Sequence, residues 1–152
     1  MSSDLKSRLI SYSLGVLQAF IGVTAAAGGF GLVSDPSGAK MNIPLEWLNN
    51  SLFVNYLIPG LVLLVVNGVG NIMAAISTFL RNKHAAHLAA ALGIFLVLYI
   101  TIEVLIIGLR TPLQPLYFTL GIIQFVLGLK LFKQAKAPDQ LGIEPAIKKL
   151  PT

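Results

Sequence analysis

Four stretches of this chain, at about 10–33, 54–80, 85–109 and 113–132, are apolar almost without interruption. Each is long enough to cross a hydrocarbon layer of about 30 Å, which takes ~20 helical residues. Inside hydrocarbon every backbone amide must find its partner within the protein, which leaves only helices or a closed barrel. None of the stretches alternates apolar and polar residues as a barrel strand requires. The expected fold class is all-α: a polytopic membrane protein built as a four-transmembrane-helix antiparallel bundle. Composition agrees, since only 11% of the 152 residues are charged, against about 25% in soluble domains.

The basic residues give this bundle an orientation. Lys6, Arg8, Arg81, Lys83, Lys130, Lys133, Lys136, Lys148 and Lys149 fall on one side and only Lys40 and Arg110 on the other. Cytoplasmic loops carry the excess of Lys and Arg, so both termini are expected in the cytoplasm (N-in/C-in) of a bacterial inner or plasma membrane. The net charge of +5 then reads as a topology signal with some attraction to anionic lipid, not as a nucleic-acid surface. Lys6 and Arg8 ahead of an apolar run ending in Ala25-Ala26-Ala27 resemble a secretory signal. The run continues to Val33, however, beyond an apolar signal region of about 7–15 residues, so it is expected to be a retained helix.

Residues 1–133 form the expected membrane domain, and 134–152, where Lys mixes with Pro and Gly, a cytoplasmic tail. The outer segment 34–53 opens with Asp35-Pro36-Ser37-Gly38, a tight-turn composition. A short interfacial helix is expected to start at Pro44 and to lay Leu45, Trp47, Leu48 and Leu52 on the membrane surface, with Trp47 at headgroup level. The second reading of this segment is a lid over an outward-facing cavity.

Polar residues inside the spans carry the chemical signal. Gly15-x-x-Gln18-x-x-x-Gly22 in the first span recurs as Gly121-x-x-Gln124-x-x-x-Gly128 in the fourth. Spacings of three and four put each set on one helix face, a packing groove with an amide between small residues. Local packing is the simpler explanation, and an inverted pair of helices the other. Asn67 and Asn71 share a face of the second span with Gly60, Ala74 and Thr78, and the Gly68-Val69-Gly70-Asn71 run is expected to loosen that helix. Gln18, Asn67, Asn71 and Gln124 lie at similar depth and are expected to form polar packing in the core. Ala85, Ala89 and Gly93 give the third span a small-residue face.

Glu103 interrupts the third span, and an ionisable group at such depth is a functional-site hypothesis by default. Tyr99 lies one turn before it, Tyr117 at similar depth in the fourth span, with Gln114 above and Tyr56 entering from the same side. Glu103, Tyr99, Tyr117 and Gln114 are the expected ligand-binding set, lining a polar pocket open to the outer face. The competing structural role pairs Glu103 with Arg110 two turns above, or leaves it protonated and hydrogen-bonded. No catalytic set is identified. The chain has no cysteine, and His84 and His87 supply two ligands where zinc takes three or four. No metal or cofactor is expected.

At Ile58-Pro59-Gly60, Asp35-Pro36-Ser37-Gly38, Pro44-Leu45-Glu46-Trp47-Leu48 and Leu113-Gln114-Pro115-Leu116-Tyr117-Phe118, the chain resembles uncharacterised small four-span bacterial integral membrane proteins. The resemblance covers most of residues 14–130. It implies the topology and carries no activity. The layout is also similar to that of small multidrug transporters, whose membrane carboxylate lies in the first helix, where this chain has Gln18.

Three functions fit these residues. The first is an accessory or structural, or a small-molecule- or lipid-binding, membrane protein. The second is a homo-oligomeric proton- or cation-coupled transporter using Glu103, and the third an intramembrane lipid-modifying enzyme using Glu103 with Tyr99 or Tyr117. Expected partners are membrane lipids and either a second copy of the chain or another membrane protein. Nucleic acid is not among them.

Overall fold

A computed structural model describes residues 3–49 and 51–141. Among them the regular structure is helical, without strands, and four helices are long and apolar enough to cross a membrane. Helix α1 is Ser3–Ser34, α2 is Leu57–Phe79, α3 is Ala85–Ile107 and α4 is Leu113–Leu141. The outer two exceed the expected spans. α1 begins earlier, and α4 continues through Lys133 and Ala135 because the residues after the apolar run are still good helix formers. The expected tail therefore starts as helix, and its remainder, with Lys148 and Lys149, lies outside the described residues.

Helix boundaries follow local chemistry. α1 stops where Ser34 Oγ donates to Gly31 O at 3.0 Å and Pro36 follows, which has no N–H to continue the ladder. α2 starts with Asn55 Oδ1 accepting the Leu57 N–H at 3.0 Å. It ends in a Schellman-type turn with Asn82 N–H on Ser77 O at 2.9 Å and Arg81 in the left-handed region at φ 53°, a place usually given to glycine. α3 ends at Gly108, φ 78°, followed by Pro112 before α4.

α2 is not uniform. Leu57–Val62 and Gly70–Phe79 are α-helical, and Leu63–Val69 between them is π-helical. The loosening expected at Gly68–Asn71 is thus a π segment that starts five residues earlier. Asn67, Gly68, Asn71, Ala74 and Thr78 all turn inward and are buried.

The helices form two tightly packed antiparallel pairs. In the first, Gly15, Gly22 and Gly29 recur every seven residues along α1 and face α2. A Cβ at Gly29 would lie 2.5 Å from Leu64 N, and one at Gly22 2.8 Å from Ile72 N. In the second, a Cβ at Gly93 of α3 would lie 2.6 Å from Phe125 N of α4, and one at Gly128 2.8 Å from Ala90 N. Both repeated motifs therefore act as local packing surfaces, where missing side chains let backbones approach. The pairs join through Ile21, Leu96 and Ile100, with Leu17, Tyr117 and Leu120 packed around them.

Large apolar side chains point outward on every helix: Phe30 is 65% exposed, Met73 62%, Leu105 80% and Ile123 43%. Apolar surface this extensive marks contact with something other than water.

Candidate functional site

The end of the bundle carrying the 35–56 and 108–112 connections holds the site. There Leu57–Val62 of α2 stands away from α3, whereas Gly70–Phe79 packs against it. Tyr99 of α3 bridges the gap, its hydroxyl donating to Pro59 O at 3.2 Å. The splay opens a cavity of about 510 Å³, within the ~300–1,000 Å³ usual for small-molecule sites.

Its walls come from every element. α1 supplies Ala25, Gly28 and Leu32, α2 supplies Pro59, Val62 and Leu63, and α3 supplies Leu96, Tyr99, Glu103 and Ile106. Gln114 and Tyr117 of α4 complete the helical wall. All four residues of the expected ligand-binding set thus line one cavity.

Among the described residues Glu103 is the only charged side chain lining it. Its Oε1 accepts from Gln114 Nε2 at 3.1 Å. Gln114 is 2% exposed and has no freedom to turn. Its Oε1 accepts the backbone N–H groups of Arg110 at 2.7 Å and Thr111 at 3.2 Å, and its Nε2 also donates to Gly108 O at 3.1 Å. Those backbone donors decide which end of the amide is oxygen, a choice otherwise left open by an amide's shape.

The expected alternative, an Arg110–Glu103 ion pair, is not formed. Arg110 Nε donates to Ile107 O at 2.7 Å and the guanidinium lies 5.5 Å from the centre of the Trp47 ring. The positive φ of Gly108 turns the chain away from the helix axis, so Gln114 reaches the carboxylate instead.

The 35–56 segment covers the cavity. In place of one short helix it makes two single 3₁₀ turns, Ala39–Met41 and Leu45–Leu48, with Pro44 just before the second. Leu48 turns inward against Leu32 and Tyr56, and Met41, Ile43, Trp47 and Phe53 join it over the cavity. Of the four residues expected on the membrane surface, Leu45 and Leu52 are exposed, Leu48 is buried and Trp47 is half-buried. Tyr56 fastens the segment, its N–H donating to Pro36 O and its hydroxyl to Pro44 O, both at 2.9 Å.

The amide set lies nearer the other end. Gln18, Asn67, Asn71 and Gln124 are all fully buried. Gln124 Nε2 donates to Asn71 Oδ1 at 2.8 Å and to Ala89 O at 3.3 Å, and Asn71 Nδ2 donates to Asn67 O at 2.9 Å. These links tie α4, α3 and the π segment together. Gln18 stands apart from them, its Oε1 accepting from Thr78 Oγ1 at 2.8 Å. Asn67 has neither side-chain atom bonded.

No protein-family model, curated protein or solved structure matches this chain. The chemistry of the site is therefore read from its own residues. Among the described residues no three His, Cys, Asp or Glu side chains gather as metal ligands, and His84 and His87 are exposed, with His87 edge-on to Phe132 at 4.8 Å. Sequence reasoning did not put Trp47, Gly28 or the Pro59 carbonyl at the site. The clue to Gly28 is its place beside the period-seven series 15, 22, 29, one position off the packed face.

Proposed function

We propose that this chain is a multi-pass membrane protein with both termini cytoplasmic, and that its covered cavity binds an amphiphilic small molecule or a lipid. The single observation that carries the binding reading is an apolar cavity holding one carboxylate, with Gln114 fixed so that one carboxylate oxygen is occupied and the other has no partner among the described residues. Glu103 is half-buried, and its second oxygen, unlike the unpartnered side-chain atoms of Asn67, is not enclosed by the protein, so it is open to a ligand.

The outward apolar side chains of all four helices support a bilayer setting. Lys6, Arg8, Arg81, Lys83, Lys130 and Lys133 at one end, against only Lys40 and Arg110 at the other, support the orientation under the positive-inside rule. The glycine faces of α1, α3 and α4 are occupied within the chain. That favours ligand binding over a role in which those faces recruit a partner.

Topology is tested by single cysteines, which the cysteine-free chain makes unambiguous. Ser37→Cys should react with an impermeant maleimide on the outer side of sealed vesicles, and Asn82→Cys only after permeabilisation; the reverse pattern rejects the orientation. Binding is tested by native mass spectrometry of protein released gently from its own membrane. A retained molecule lost when Gly28→Leu fills the cavity supports the reading. Spectra unchanged by that substitution reject it.

A further inference from the structure

The hydrogen-bonding state of the cavity wall selects the head of its ligand. Tyr99 and Tyr56 line the same cavity as Glu103, and both hydroxyl protons are already donated, to Pro59 O and Pro44 O. Both protons of the Gln114 amide are donated as well, to Glu103 and Gly108. Thr24 of the wall donates to Phe20 O at 2.7 Å. What these groups still offer is acceptor capacity: the free Glu103 Oε2 and the lone pairs of two phenols. Tyr117 and Thr111 have hydroxyls that can turn to either role.

Among the described residues the wall holds no basic side chain; Arg110 lies outside it, with its Nε on Ile107 O and its guanidinium 5.5 Å from the centre of the Trp47 ring. A carboxylate or phosphate head would meet Glu103 with no basic side chain on the wall beside it. A head with several donors and a positive charge meets acceptors on each side. The remaining wall is aliphatic and aromatic, and suits one apolar tail. Ile58, Leu98 and Ile102 of the wall are more than half exposed on the outer face of α2 and α3, so the cavity opens laterally toward the apolar surroundings from which such a tail arrives.

We infer that the cavity takes a single-tailed primary amine without a phosphate, its ammonium on Glu103 Oε2 and the Tyr99 and Tyr56 oxygens, its tail along Leu63 and Leu96. This rests on the binding reading above and specifies its ligand.

Trp47 is the only tryptophan of the chain and lines the cavity, so it reports occupancy directly. Protein in phosphatidylcholine nanodiscs at neutral pH is titrated with brominated dodecylamine, dodecanol, dodecanoate and dodecyltrimethylammonium. Quenching of Trp47 is scored against the mole fraction of each probe in the bilayer. The amine should quench saturably at about tenfold lower mole fraction than the alcohol, because both can donate to the carboxylate but only the ammonium brings an opposite charge to it. The trimethylammonium probe, charged but without donors, should fall behind the amine, and dodecanoate should be weakest. Glu103→Gln should erase the preference of amine over alcohol.

Alcohol, carboxylate or trimethylammonium equal to the amine in the unmodified protein overturns the proposed ligand class while leaving a binding cavity. That ranking needs no variant, so a Glu103→Gln protein that fails to fold does not spoil it. Gly28→Leu, whose Cβ meets only Leu63 Cδ2 at 3.6 Å, should abolish saturable quenching by every probe. Quenching that never saturates, or that survives Gly28→Leu, overturns the cavity reading itself.

Discussion

Gln114 is the residue that holds Glu103: its Nε2 lies 3.1 Å from Glu103 Oε1, while its Oε1 collects the N–H groups of Arg110 and Thr111. One side chain thus closes the α3–α4 connection and aims the carboxylate. The tasks overlap at Nε2, which donates to Gly108 O as well as to the carboxylate, but the Arg110 and Thr111 N–H groups are held by the amide oxygen alone.

Gln114→Leu should therefore cost much more stability than Glu103→Gln. The first leaves the Arg110 and Thr111 N–H groups, the Gly108 carbonyl and Glu103 without that partner, about 4 kcal/mol or more at ~1–3 kcal/mol for each group that stays unsatisfied. The second keeps an acceptor for Gln114 Nε2 and should cost under about 1 kcal/mol. Thermal unfolding in detergent, followed by circular dichroism, compares them. Equal losses would mean that Gln114 does not secure the connection.

Adjacent glycines on α1 should respond in opposite directions. A Cβ on Gly29 lands 2.5 Å from the Leu64 backbone nitrogen, which cannot move without displacing α2. Gly29→Ala should destabilise by about 1–3 kcal/mol, the usual range for overpacking. At Gly28 the nearest atom is a Leu63 methyl at 3.6 Å, so Gly28→Ala should gain ~0.5–1 kcal/mol from lower unfolded-state entropy and better helix propensity. The midpoints of unfolding in sodium dodecyl sulfate measure both.

The number of long helices, their approximate limits and the inward faces of all four were legible from apolar run length and spacings of three and four. So was the meeting of Glu103, Tyr99, Gln114 and Tyr117, because depth along straight helices is a one-dimensional quantity. What resisted reading depends on backbone conformation between or within the runs. Arg110 has the right depth to reach Glu103, and only the φ of Gly108 diverts it. Leu48 fits an interfacial helix by spacing, but 3₁₀ turns rotate it onto Leu32 and Tyr56. Asn67 was assigned the correct face, yet nothing in composition reveals that a π segment leaves its amide without a partner.

Gln18 and Thr78 should show an asymmetric cost. Among the described residues Thr78 makes the one bond to the Gln18 side chain, whose Nε2 is already unpartnered, so Thr78→Val leaves a fully buried amide with nothing to bond; the expected loss is ~1–3 kcal/mol. Gln18→Leu instead removes that amide, and the Thr78 hydroxyl can turn to the carbonyl four residues back. Its expected loss is near the ~0.6 kcal/mol average for hydrogen bonds between membrane helices. The double variant should cost less than the sum of the two. Additive losses would show that the two side chains are not coupled.

The segment covering the cavity should loosen in acid through Asp35. Its Oδ1 accepts from Ser37 Oγ at 2.6 Å and Ser37 N at 3.2 Å, and its Oδ2 from Lys40 N at 2.9 Å. The Ser37 hydroxyl bond first, then the Lys40 N–H, hold this carboxyl below its ordinary value of 3.8. A carboxyl whose value is lowered by folding stabilises the fold fully above the unfolded value and ceases to do so as pH falls through the folded one. The turn should therefore stay intact at about pH 4 and above and open only in more acid solution. Gly38, at φ 78° with the Ile43 carbonyl against its α-carbon, carries that opening to Ile43 and Trp47 over the cavity. Hydrogen exchange at the Lys40 amide and the emission of Trp47 should change together below the ordinary carboxylate range. Asp35→Asn should accelerate the exchange at neutral pH and flatten its acid dependence. Emission that shifts in acid equally in the Asp35→Asn variant would place the acid-sensitive group elsewhere in the segment.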